Sequence, residues 1–209
     1  MEEAVGLIKD GDSLMIGGFA AVGTPQRVVD AVLAAGKKDL TVITNDTGFE
    51  DRGLGVLITA GRVKKVVTSH IGLNRRTGAQ LNAGKIEVEL VPQGTLAERI
   101  RAAAYGLGGA LTPTGIGTDV EAGKRKLEID GKEYLLETPL RADAALLYAD
   151  IADESGNLAY RGAAGNFNNV MAGAARVTIA EAGRVVPPGG LAPNAVHTPG
   201  VFVDYVVKG

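Results

Sequence analysis

The chain has 209 residues, 45% of them hydrophobic and 22% charged, with a formal net charge of −2 from 22 basic and 24 acidic side chains. That is enough chain for one sizeable core and an ordinary soluble composition, so one domain spanning 1–209 is expected. The clusters of Lys and Arg, such as Lys37-Lys38 and Lys64-Lys65, are short and lie beside element ends, which argues against nucleic-acid binding. The absence of cysteine excludes disulfides, thiol catalysis and thiolate metal ligands. Two histidines, His70 and His197, are too few for a multi-histidine site, so no metal is expected. The acidic start and the lack of an apolar run near ~20 residues predict a cytoplasmic protein with no membrane segment.

In chain order, a helix is expected over residues 2–8. Four β-rich runs follow, at 13–19 (SLMIGGF), 40–46 (LTVITND), 64–70 (KKVVTSH) and 86–92 (IEVELVP). The spacing between them leaves room for crossover helices, the pattern of right-handed βαβ units and a parallel sheet. After the first run, Thr24-Pro25 predicts an N-cap and first-turn proline for a helix with an apolar stripe at Val28, Val29, Val32 and Leu33, ended by Gly36. After the fourth, Thr95-Leu96-Ala97-Glu98 has the form of a capping box, predicting a helix through about Tyr105.

The second half has a different pattern. Residues 126–129 and 133–137 flank Asp130-Gly131, a strong hairpin signal. Further strands are expected at 144–150, 177–181 and 201–207, with a helix near 167–175. The expected architecture is a single α/β domain with a mainly parallel sheet flanked by helices and an antiparallel appendage.

Ligands of open parallel sheets bind outside the carboxyl ends of the strands. Here those ends carry the 17–23 glycine loop, Asn45-Asp46, Ser69-His70 and Gln93-Gly94. The loop lacks the lysine of a phosphate-loop ATPase and the three spaced glycines of a dinucleotide fold. Its glycines serve either a tight strand–helix turn or the close approach of a ligand to backbone N–H groups. Gln93 is either a loop-stabilising glutamine or an amide donor to an oxyanion. Asn45 and Asp46 suit turns as well as active sites.

Residues 10–25 (DGDSLMIGGFAAVGTP) resemble the signature of the family I coenzyme A transferases: an acidic–glycine pair, three apolar residues, Gly-Gly-Phe, then Gly-x-Pro. The family's first subunit, of the 3-oxoacid or acetate–butyrate–acetoacetate type, is also similar at 40–47, 69–74, 87–101 (EVELVPQGTLAERIR), 111–118, 140–143, 156–158 and 166–168 (NFN). The resemblance implies a NagB/RpiA/CoA transferase-like fold. It implies a coenzyme A-binding stretch formed by Gly17, Gly18, Phe19, Ala20, Ala21, Val22 and Gly23. Gln93 matches an oxyanion donor and Asn45 an active-site asparagine. The next position, often a second asparagine in the family, is Asp46.

The family nucleophile is a glutamate in a Ser-Glu-Asn-Gly motif on the second subunit, a motif this sequence lacks. The implied enzyme is therefore an α2β2 assembly with a β subunit. It would move coenzyme A between carboxylic acids by a ping-pong route, with acyl-CoA as substrate and no permanently bound cofactor. A sugar-phosphate isomerase-like enzyme and a non-catalytic ligand-sensing domain of related fold are the alternatives.

Overall fold

Neighbouring residues of a strand face opposite sides of its sheet, and the apolar pairs Leu14/Met15, Val42/Ile43 and Val66/Val67 therefore need cover on both faces. The computed structural model, which describes residues 1–209, provides it. In chain order the first half contains α1 (Glu2–Gly6), β1 (Ser13–Ile16), α2 (Gln26–Ala34), β2 (Leu40–Asp46), α3 (Gly55–Thr59), β3 (Val63–His70), α4 (Arg75–Asn82), β4 (Glu87–Leu90) and α5 (Gln93–Ala104). The second half contains β5 (Ala110–Thr112), β6 (Lys126–Ile129), β7 (Lys132–Glu137), β8 (Ala142–Asp153), β9 (Leu158–Ala159), α6 (Asn168–Met171), β10 (Ala175–Val186) and β11 (Tyr205–Lys208).

The main sheet runs β11-β10-β8-β1-β2-β3-β4, and all of these pairings are parallel. The short β9 adds antiparallel to β8. Leu14, Ile16, Val42 and Val66 pack under Val28, Val29 and Val32 of α2 and Leu57 and Ile58 of α3. On the other face Met15, Ile43 and Val67 meet Leu96 and Ile100 of α5 and Met171 of α6. The order β5-β7-β6 forms a separate antiparallel sheet, lying against α5 through β5. No helix is long and apolar enough to cross a membrane.

The α/β class, the parallel sheet and the hairpin agree with the sequence expectation; Asp130 and Gly131 take φ of +52° and +72° in the tight turn. Several details differ. The helix after β1 starts at Gln26 with Pro25 as its N-cap, and Thr24 makes no cap hydrogen bond. Thr95 is inside α5 rather than capping it, because the helix begins two residues earlier, after Pro92. The helix expected over 167–175 stops at Met171, since Ala175 already pairs in β10. The strand expected at 201–207 begins only at Tyr205; Gly200–Phe202 is a 3₁₀ turn. The antiparallel appendage is β5-β7-β6, while β8, β10 and β11, which the sequence left unassigned to either sheet, extend the parallel sheet beyond β1.

Candidate active site at the carboxyl edge

Because β1 to β4 are parallel, their C-terminal ends deliver the 17–23 loop, Asn45-Asp46, Ser69-His70 and Gln93 to one edge. Gln93, the first residue of α5, is exposed. Its Nε2 donates to Asn45 Oδ1 at 2.6 Å. Asn45 is buried, and Ser69 Oγ donates to its carbonyl at 2.7 Å and to its Oδ1 at 3.3 Å. A primary amide carries two N–H donors, so one donor of Gln93 fixes the side chain and the second is left for the cleft. The two residues that the resemblance singles out are thus in direct contact.

Asp46 is also buried, and its carboxylate is committed to three donors. Oδ2 accepts from Ala20 N at 2.8 Å and from Asn45 Nδ2 at 2.7 Å, while Oδ1 accepts from Gly48 N at 2.8 Å. It orients the Asn45 amide so that Oδ1 faces Gln93, and it anchors the glycine loop to β2. A carboxylate held in this way is a brace, not a free nucleophile. His70 is exposed at the end of β3, with its ring against Gly72. His197 lies far along the chain, where Nδ1 accepts from Tyr160 N at 2.9 Å and the ring stacks on Tyr160.

In the loop, Phe19 and Val22 exchange backbone hydrogen bonds of 3.0 and 2.9 Å around Ala20 and Ala21. Both alanines have positive φ, +46° and +66°, a mirror-image turn that L-residues disfavour by roughly 1–2 kcal/mol each. The turn holds the side chains of Phe19 and Val22 in solvent, 48% and 50% exposed. Two asparagines from the distant NFN motif support it. Asn166 Oδ1 accepts from Gly18 N at 3.1 Å and Nδ2 donates to Val22 O at 3.0 Å. Asn168 Nδ2 donates to Gly23 O at 2.9 Å and Ala164 O at 2.8 Å, while its Oδ1 accepts from Tyr148 N at 3.0 Å.

These asparagines also explain the glycines. A Cβ on Gly17 would overlap the Asn168 amide, and one on Gly23 (φ +73°) would sit 2.9 Å from Ala164 Cα. At both positions the close neighbour is the protein's own chain. The other motif segments have structural roles of the same kind. Ser13 N and Oγ donate to Asp143 Oδ2 at 2.9 and 2.6 Å, joining the first motif to residues 140–143. Those bonds hold the Asp143 carboxyl below its ordinary value. Asn74 caps α4 through Arg76 N and ties it to Thr47 O. The sequence displays Asn166, Asn168 and Ser69 within motifs, yet only the fold shows that they support this edge.

The sequence model of the family described as Coenzyme A transferase matches residues 1–209. The acetate CoA-transferase subunit alpha of Escherichia coli K12 is 51% identical, over 99% of this chain and 94% of that protein. The acetoacetyl-CoA:acetate/butyrate CoA transferase alpha subunit of Clostridium acetobutylicum is 50% identical, over 96% and 92%. Among solved structures, the acyl-CoA transferase YdiF apoenzyme from E. coli O157:H7 superposes with a TM-score of 0.87 at 25% identity. It matches all of this chain, which spans 46% of the YdiF chain. With a family model matching from end to end and relatives at half identity over nearly their whole length, this chain belongs to the coenzyme A transferase family.

Proposed function

We propose that the chain is the α subunit of a 3-oxoacid or short-chain acyl CoA-transferase, completed by a β subunit in an α2β2 assembly. The observation that carries the reading is the Gln93 amide, fixed by Asn45 beside a braced glycine loop, with the buried carboxylate of that edge already committed to three donors. Such an edge offers an oriented donor for developing negative charge but no free carboxylate in position to attack. The names of the two relatives, each an alpha subunit, support a partner chain.

On this reading a glutamate of the partner attacks the acyl-CoA carbonyl. The tetrahedral oxyanion accepts the free N–H of Gln93 and collapses, breaking the C–S bond and releasing the thiolate. The resulting acyl–glutamyl anhydride is attacked by that thiolate at the glutamyl carbonyl, which expels the first carboxylate and leaves a glutamyl-CoA thioester. An incoming carboxylate reverses both steps, so no net proton is consumed. Splitting the exchange between two carbonyl substitutions is the advantage of covalent catalysis. The 17–23 loop, with its exposed Phe19 and Val22, would hold coenzyme A.

The test is steady-state kinetics on the chain coexpressed with its partner subunit. Gln93→Ala is expected to lower kcat and kcat/KM together by roughly 10²–10³, the usual effect of deleting one oxyanion donor. The isolated chain should not turn over. A near-normal kcat for Gln93→Ala would return the residue to a structural role, and turnover by the chain alone would refute the division of labour.

A further inference from the structure

The pattern of the glycine loop occurs twice in the chain. Gly18-Phe19-Ala20-Ala21-Val22-Gly23 follows β1 and leads into α2; Gly48-Phe49-Glu50-Asp51-Arg52-Gly53 follows β2 and leads into α3. Phe49 and Arg52 pair across the second loop as Phe19 and Val22 pair across the first, and the glycines that bound both loops have positive φ. Only the turns between them differ: Glu50 and Asp51, unlike Ala20 and Ala21, do not take positive φ.

The two loops lie side by side because β1 and β2 are parallel neighbours. Asp46 accepts from Ala20 N of the first and from Gly48 N of the second. Gln26 Oε1, at the start of α2, accepts from Gly53 N at 2.7 Å, and a Cβ on Gly53 would lie 3.4 Å from Ala21 Cβ. The second loop is thus fixed to the same edge by the same buried carboxylate.

What it presents is different. Where the first loop exposes Val22, the second exposes Arg52, whose guanidinium carbon lies 4.1 Å from the centroid of the Phe49 ring. Stacking on an aromatic face restrains the side chain and leaves its in-plane N–H donors free. Such a fork matches the paired oxygens of a phosphate. Glu50 pairs with Arg76 at 3.3 Å, whereas no carboxylate pairs with Arg52, and its exposed neighbour Asp51 takes part in no ion pair. With Arg75 and Arg76 opening α4, this side of the edge carries three arginines and two acids.

An acyl-CoA brings its negative charge in the phosphates of the coenzyme, since the acyl group is uncharged at its thioester and the pantetheine arm is neutral. The apolar Phe19 and Val22 suit that arm, and Arg52 suits the phosphates. Resting on the CoA-transferase reading above, we infer that the 48–53 loop is the second half of the coenzyme site, in which Arg52, held on Phe49, donates to a phosphate of coenzyme A. The experiment measures kcat/KM of the reconstituted two-subunit enzyme with the acetoacetyl thioesters of coenzyme A, dephospho-coenzyme A and pantetheine. Arg52 is exposed, so Arg52→Ala should fold; circular dichroism checks this. It should lower kcat/KM with acetoacetyl-CoA about tenfold and change the phosphate-free pantetheine thioester by less than about twofold. Phe49→Leu keeps the charge but removes its platform, and should lower only the phosphate-bearing thioesters, by about threefold. Added salt should weaken wild type with acetoacetyl-CoA more than Arg52→Ala. A loss that persists with dephospho-coenzyme A places the contact on the diphosphate, and one that vanishes there places it on the 3′-phosphate. Equal losses on all three thioesters, or an effect on thermal stability alone, would overturn the assignment while leaving CoA transfer intact. No transfer from any acyl-CoA by wild type would remove the CoA-transferase reading itself, and this inference with it.

Discussion

Gly17→Ala separates two reasons for a glycine at the start of the loop. If the residue is small so that a ligand can approach, alanine should leave stability alone and weaken coenzyme A binding. The structure predicts the reverse order of effects. Gly17 is buried, and its backbone does not adopt a positive φ, so alanine meets no conformational strain. The added Cβ would instead lie 2.6 Å from Asn168 Cγ and overlap the amide oxygen. Asn168 is fully buried and makes the three hydrogen bonds to Tyr148, Gly23 and Ala164 described above. At about 1 kcal/mol of net stability per bond, displacing that side chain costs about 3 kcal/mol. Restricting the unfolded chain returns roughly 0.4–1 kcal/mol, leaving a loss of roughly 2–3 kcal/mol. For a chain of this length that corresponds to a fall in Tm of roughly 5–10 °C. The chain contains no tryptophan, so urea and thermal unfolding are best followed by far-ultraviolet circular dichroism. Asn168→Ala should cost a similar amount, and the double variant should cost much less than the sum, because both changes remove one interaction. A Gly17→Ala protein within about 0.5 kcal/mol of wild type, or full additivity in the double variant, would refute the argument.

Two further outcomes follow from other residues. Asp143→Asn should cost about 1 kcal/mol at neutral pH, since the bonds from Ser13 are charge-assisted but half-exposed. The Asp143 carboxyl is held below its ordinary value, so its stabilisation is present above the unfolded value near 4 and is lost as pH falls through the lower folded value. Urea midpoints of wild type and variant should therefore converge as pH falls below about 4, and a gap that stays constant would contradict this. At Ala21, with φ +66°, glycine should leave stability unchanged or raise it by up to about 1 kcal/mol, whereas β-branched valine should cost about 1 kcal/mol or more. Thermal melts of the two variants in the opposite order would show that the turn is not strained.

The parallel half of the fold was legible because its strands are apolar runs separated by helix-length gaps, and β2 lies at the expected 40–46. α3 and α4 were anticipated only as crossovers in those gaps, without bounds. The first has five residues, and the second is a polar segment with one buried side chain, Thr77, so neither displays a stripe. β8 and β10 read as short strands because alanine-rich sequence carries little β signal, yet their long mutual pairing makes each twelve residues. At the site, the placement of Gln93 and Asn45 on one edge was anticipated through the rule that parallel strands present their carboxyl ends together. Their hydrogen bond and the braces were not. Asp46 looks like a turn residue, and the contacts of Asn166 and Asn168 cross about 145 positions of sequence. No local pattern encodes such a contact.

That separation constrains when the site can form. Residues 17–23 leave β1 early in the chain and Asp46 can hold Ala20 N once β2 is made, but the side chains that hold Gly18 N, Val22 O and Gly23 O arrive only with residues 166–168. During synthesis the first four strands emerge while the loop still has no asparagine to bind, and β1 waits for β8 as its second neighbour. Non-local closure of this kind is slow compared with helix and turn formation. The loop is therefore among the last parts of the chain to acquire its shape, and a nascent or truncated chain ending before residue 166 displays the glycines without their asparagine braces.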